Sequence, residues 1–163
     1  MKKILIFLSG LILGFYFFMP KEEFFYLIQK KLYQTNNIAV TADIKSDVFK
    51  LSLLKGKIYY NDIQTATFDK AYIFPYIFYN KINISDIKLP INNLNITKIT
   101  LTHNILNPYI IKLTANGNFA KKIHGNINLS KKEVRLYFEG VKNNTVKKFL
   151  KKDKKGYFYY EKF

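Results

Sequence analysis

The period of apolar and polar positions changes twice along this chain, and each change marks a boundary. Ile4 to Met19, ILIFLSGLILGFYFFM, has no period: it is apolar on every face, with Ser9 and Tyr16 its only polar side chains. As a helix it rises about 24 Å, against a bilayer core of roughly 30 Å. Lys2 and Lys3 before it, and Tyr16, Phe17 and Phe18 at its far end, suit snorkelling cations and an interfacial aromatic belt. The expectation is a transmembrane anchor over 1–20, in which Ile4, Leu8, Leu11, Phe15 and Phe18 meet lipid. Lys2 and Lys3 keep the N-terminus cytoplasmic, so the remainder lies on the periplasmic side of an inner membrane. A cleaved secretory signal is the competing reading, but FYFFMPKEEFF after Gly14 lacks the small residues a cleavage site needs. Gly10 and Gly14 have the small-xxx-small spacing by which two such helices approach, so a homodimer through this segment is a candidate.

From Lys21 the period becomes about four. Phe24, Ile28 and Leu32 recur along KEEFFYLIQKKLYQ, with Glu22 and Glu23 opening the segment and Lys30 and Lys31 towards its close. This arrangement predicts an amphipathic juxtamembrane helix over 21–37, ended by Asn36 and Asn37. From Ile38 the period drops to two. Alternation in Ile38–Ile44, Phe49–Leu53, Ala66–Phe68, Ile82–Ile84, Leu94–Ile96, Ile99–Leu101, Ile111–Leu113, Ile127–Leu129 and Val134–Phe138 predicts roughly nine strands. The expected fold class is mainly β over 38–163, with turns at Asn92–Asn93 and Asn116–Gly117. Two stretches depart from the alternation. YIFPYIFYN, 72–80, carries Pro75 and reads as a crossing segment at one end of the core. In 143–155, Val146, Phe149 and Leu150 are spaced as on a short C-terminal helix that Gly156 stops.

Composition narrows the chemistry. There is no cysteine, which excludes disulfides and thiolate metal sites. The formal net charge is +16, a balance that suits DNA, anionic lipid or acidic polysaccharide. Lys, Asn, Ile, Phe and Tyr all use A/T-rich codons, however, so an AT-rich genome accounts for most of that charge. The basic residues Lys147, Lys148, Lys151, Lys152, Lys154 and Lys155 stand beside Tyr157, Phe158, Tyr159 and Tyr160, as on a surface that binds DNA by charge and stacking. A solvated lysine face followed by a core strand has the same appearance. His103 and His124 have no acidic neighbour close in sequence, and Glu22–Glu23 is the only carboxylate pair singled out. With no P-loop, GxGxxG or GxSxG motif, no catalytic residue, cofactor or metal site is expected.

Two stretches resemble a known family. FDKAYIFPYIFYNKINISDIKL, 68–89, is similar to the segment of AsmA-like and type II secretion N-like proteins in which a strand leads through a crossing turn to an I-x-I-x-x-I-x-L strand. NGNFAKKIHGNINLSKKEVRLYFE, 116–139, followed by FLKKDKKGYFYYEKF, resembles the C-terminal signature of the secretion N-like proteins. Ala120 replaces that signature's second glycine, and Tyr157 stands at its aromatic position. The resemblance implies a non-enzymatic, β-rich periplasmic protein of the inner membrane. Its implied partners are the other subunits of a type II secretion or type IV pilus-like machine, DNA uptake in natural transformation being the foremost case. The alternative that it implies is a lipid- or lipopolysaccharide-handling envelope protein with a β-groove.

Overall fold

Pro20 divides the N-terminal helical region in two. In the computed structural model, residues 2–76, 78–90 and 93–163 are described, Tyr16 by its backbone alone. The interfacial position expected for the Tyr16 ring and the turn expected at Asn92 fall outside the described residues. Helix α1 is Lys2–Phe18 and α2 is Lys21–Asn36. Among the described residues no helix is long and apolar enough to cross a membrane, which overturns the expected transmembrane anchor. The reason is local. The 17 residues of α1 include Lys2 and Lys3 in the first turn, and a proline has no amide hydrogen with which to continue the helix into α2.

Helix α2 ends at Asn37, whose φ of 52° is left-handed and whose N–H reaches the carbonyls of Leu32 and Tyr33. Its stripe of Phe24, Ile28 and Leu32 is not buried: all three are exposed. Phe25 packs on the core instead, and Gln29 Nε2 donates to the Val40 carbonyl at 2.6 Å. A strand edge offers unpaired carbonyls, and the side-chain amide of Gln29 satisfies one of them.

The rest of the chain is one ten-stranded antiparallel sheet. Its strands are β1 (Ile38–Ser46), β2 (Leu51–Tyr60), β3 (Ile63–Pro75), β4 (Tyr79–Lys88), β5 (Asn95–Asn104), β6 (Ile110–Gly117), β7 (Lys122–Asn128), β8 (Glu133–Glu139), β9 (Lys151–Asp153) and β10 (Gly156–Lys162). β1 to β8 pair in chain order, and β10 lies between β8 and β9. The expected crossing segment at 72–80 is a hairpin: Pro75 ends β3 and pairs with Asn80 of β4. A proline is tolerated at a strand end, where the ladder no longer needs its amide. The expected helix over 143–155 shrinks to α3, Asn144–Lys147, with Asn143 Oδ1 accepting from the amides of Thr145 and Val146. Beyond it, Lys151 and Lys152 belong to β9, because their backbone pairs with Phe158 and Tyr157 of β10.

Register explains which faces are apolar. One lateral row reads Ile44–Leu53–Ala71–Ile84–Ile99–Ala115–Ile123–Phe138–Tyr157, a side chain from each of nine neighbouring strands. The row beside it on the opposite face, Ser52–Tyr72–Asn83–Thr100–Thr114–His124–Tyr137–Phe158, is polar or aromatic. In β2 to β5 the inward positions then shift by three residues rather than two: Leu53 to Gly56, Ala71 to Phe68, Ile84 to Ile87 and Ile99 to Ile96. The extra residues, Lys55, Asp69, Asp86 and Thr97, are exposed and form a continuous line across four strands. Lys55 and Asp86 are left-handed, with φ of 52° and 57°. An inserted residue bends its strand and increases the local twist, so four in line bend this half of the sheet together.

Two buried clusters follow. The first gathers Leu51, Leu53, Ala66, Phe68, Ala71 and Ile87, the second Ala115, Phe119, Ala120 and Ile123. Gly56 lies directly under the Phe68 ring, in space that any Cβ would share with it.

Candidate functional site

The six lysines singled out by the sequence do not form one surface. Lys147 closes α3 and Lys148 caps it. Lys151 pairs with Phe158 on the polar face, Lys152 with Tyr157 on the apolar face, where its Nζ sits 5.6 Å from the Tyr157 ring centroid. Lys154 and Lys155 form the turn into β10. Gly10 and Gly14 stand on α1 with open space around each.

What the sheet does assemble is a ladder of rings and cations on its polar face. β7, β8 and β10 place His124, Tyr137 and Phe158 side by side, because the register pairs His124 with Tyr137 and Tyr137 with Phe158. The His124 and Tyr137 rings stack at 5.9 Å and 24°, and Phe158 continues the series at 5.9 Å. One row further along, the Arg135 guanidinium lies 5.7 Å from the Phe158 ring and 5.1 Å from the Tyr160 ring. A half-open cleft of about 450 Å³ is lined by His124, Tyr137 and Arg135 with Gly125, Asn126, Glu139 and Lys155. Gly125 is required here: a Cβ would stand 2.0 Å from the Arg135 carbonyl oxygen, which β8 cannot move aside without breaking its ladder.

The carboxylates around the ladder each have a neighbour. Glu139 faces Lys122 at 3.6 Å and His124 Nδ1 at 3.3 Å. The second contact lacks hydrogen-bond alignment, which leaves Nδ1 buried and unsatisfied. Tyr137 donates to Asp153 at 3.4 Å and Tyr160 to Glu133 at 3.1 Å, while on the opposite face Tyr159 donates to Glu161. Exposed pairs of this kind contribute little to stability, but they hold the rings upright. His103 Nε2 lies 3.0 Å from the Pro108 carbonyl, at the far end of β5. Among the described residues no three His, Cys, Asp or Glu side chains come together as metal ligands.

The ladder was not visible in the sequence reading. His124 has no acidic neighbour within several positions, and it meets Glu139 only because β7 and β8 run antiparallel from Lys122↔Glu139. The usable signal was the alternation Glu133, Arg135, Tyr137, Glu139, which puts polar and aromatic groups on one face of β8.

No family model, characterised protein or solved structure matches this chain. The chemistry of the surfaces therefore carries the functional reading. The ladder can stack on planar groups and attract anions through Arg135, Lys122 and Lys155.

Proposed function

We propose that this chain is a non-catalytic binding component of a type II secretion or DNA-uptake machine, acting on the periplasmic side of the inner membrane and joined to partner subunits by strand addition. The observation that supports this reading is an asymmetry between the two sheet edges. Gln29 occupies an edge carbonyl of β1, and α2 packs along that strand. At the other edge β9 covers only Gly156 to Phe158 of β10, and among the described residues nothing pairs with the outer side of Tyr159–Lys162. An open four-residue edge suits a partner's extended segment, since main-chain bonds supply affinity and alternate side chains supply specificity. Deleting the gene tests it: transformation or protein secretion is lost while growth is unchanged. Normal DNA uptake and normal secretion in the deletion strain would refute it.

A second reading, a lipid-handling envelope protein, draws on Ile84, Ile99 and Phe138, the partly exposed positions of the apolar row on either side of the buried Ala115 and Ile123. Lipid would have to lie on one face of a single ten-stranded sheet. Lipid released from the purified protein in native mass spectrometry would favour it, and a lipid-free spectrum would remove it.

A further inference from the structure

The turns of the sheet divide into two sets of different chemistry. At one end lie the connections β1–β2, β3–β4, β5–β6 and β7–β8, together with the C-terminus, where the Phe163 amide reaches the Lys132 carbonyl. This end exposes Val48, Phe78, Leu106, Tyr109, Leu129 and Phe163, with Leu106 at 88% and Phe78 at 67% of full exposure. At the other end the two-residue β2–β3 turn is Asn61–Asp62, with positive φ at both positions. Its neighbours are built around Asn93, Asn118 and Gly140, and among the described residues of these turns Tyr60, Ile63 and Phe149 are large, apolar and exposed.

Helix α1 belongs to the first end. The Phe17 ring meets Phe49 of the β1–β2 turn edge-to-face at 6.3 Å. Leu11, Ile12, Phe15 and Met19 enclose an apolar hollow with Pro75 and Tyr76 of the β3–β4 hairpin. The rest of α1 is exposed along nearly its whole length. Lys50, Lys81, Lys131 and Lys132 lie at three of the four turns, β1–β2, β3–β4 and β7–β8, against Asp47 and Glu133.

From this placement we propose that the four turn tips and α1 form a rim that seats in the headgroup–acyl boundary of an anionic lipid bilayer without spanning it. Three features favour a bilayer over a protein groove. The tips are spread over six strand spacings, roughly 30 Å, each presenting one or two side chains to a plane rather than a cleft. Phe and Tyr are the residues whose rings settle at a lipid–water boundary. A helix that is apolar on every side needs an apolar medium, and the flanking lysines complement anionic headgroups. The proposal stands independently of the secretion reading, because it concerns lipid contact and not partner identity.

The chain contains no tryptophan, so one can be introduced as a reporter. Full-length Leu106→Trp and Ile63→Trp variants, mixed with vesicles of phosphatidylglycerol and phosphatidylcholine, are read by emission and by quenching from brominated acyl chains. The reporter at position 106 shifts to the blue and is quenched, and the reporter at position 63 is not. The combined Phe78→Ser and Leu106→Ser variant binds these vesicles roughly a hundredfold less tightly, about tenfold per side chain. Neutral vesicles bind the unmodified chain at least tenfold more weakly, on the basis of about fivefold per lysine near an anionic surface. The same two positions are highly exposed, so the serine variants keep the fold, which circular dichroism checks. Binding through α1 alone would leave the reporter at position 106 in water and overturn the proposal. So would equal quenching at both positions, or failure to bind anionic vesicles at all.

Discussion

Replacing Gly56 by alanine tests the packing of the first cluster. The Gly56 backbone needs no positive φ, so an alanine there costs nothing through its own conformation. Its Cβ, however, would stand 1.9 Å from Phe68 Cζ and 2.3 Å from Cε1. Ordinary carbon–carbon contact begins near 3.5 Å, so the ring must retreat by about 1.5 Å. Phe68 is 3% exposed and shares its cluster with Leu51, Leu53, Ala66, Ala71 and Ile87, so the ring can retreat only by displacing packed neighbours. Overpacking of this kind costs about 2–3 kcal/mol, which lowers the melting temperature by roughly 8 °C in a chain of this size. Phe68→Leu alone costs about 1–2 kcal/mol through lost contacts. The double variant should be less destabilised than the sum of the two, by about 1–2 kcal/mol, because the shorter side chain vacates the space the alanine needs. Urea unfolding followed by far-ultraviolet circular dichroism measures all four corners of the cycle. An alanine tolerated within about 0.5 kcal/mol, or strictly additive single effects, would refute the packing argument.

Two further substitutions address the connections. Gln29→Leu removes the 2.6 Å bond to the Val40 carbonyl, and a loss of about 1 kcal/mol is expected, with faster amide exchange along β1 than along β4. Asn118 accepts from the Asn95 amide at 3.1 Å and donates to the Asn93 carbonyl at 2.8 Å. Asn118→Ala therefore loosens the β4–β5 connection, costs about 1–2 kcal/mol and raises proteolysis at that connection; an unchanged cleavage pattern would contradict the role.

Several strands were legible from period alone. Ile82 and Ile84, Ile99 and Leu101, and Ile111 and Leu113 all fall in the inward rows, because a strand with one buried face must alternate. The I-x-I-x-x-I-x-L pattern that carried the family resemblance has a plain physical meaning here: its doubled x is Ser85 and Asp86, and Asp86 is the inserted residue of β4. The N-terminal run was misread because a rise of about 24 Å was extended to bilayer thickness by the flanking lysines and terminal aromatics, whereas α1 stops at Phe18 and carries Lys2 and Lys3 in its first turn. The basic segment misled because lysine is compatible with either helix or exposed strand, and the pairing of Lys151 and Lys152 with β10 is a tertiary fact. The ring ladder was hidden for the same reason. His124, Tyr137 and Phe158 are distant in sequence and adjacent only through two separate registers.

The chain-order pairing of β1 to β8 has a consequence for how this protein acquires its structure. Each new strand needs only the one before it, so the entropy of closing each loop is small and low contact order favours rapid folding for an all-β chain. The sheet can grow as the polypeptide emerges, hairpin by hairpin, from a ribosome or a translocation pore. The last step is the exception, since β10 follows β9 in sequence yet pairs with β8 and leaves β9 at the edge, so the stretch beyond Glu139 is where maturation would stall.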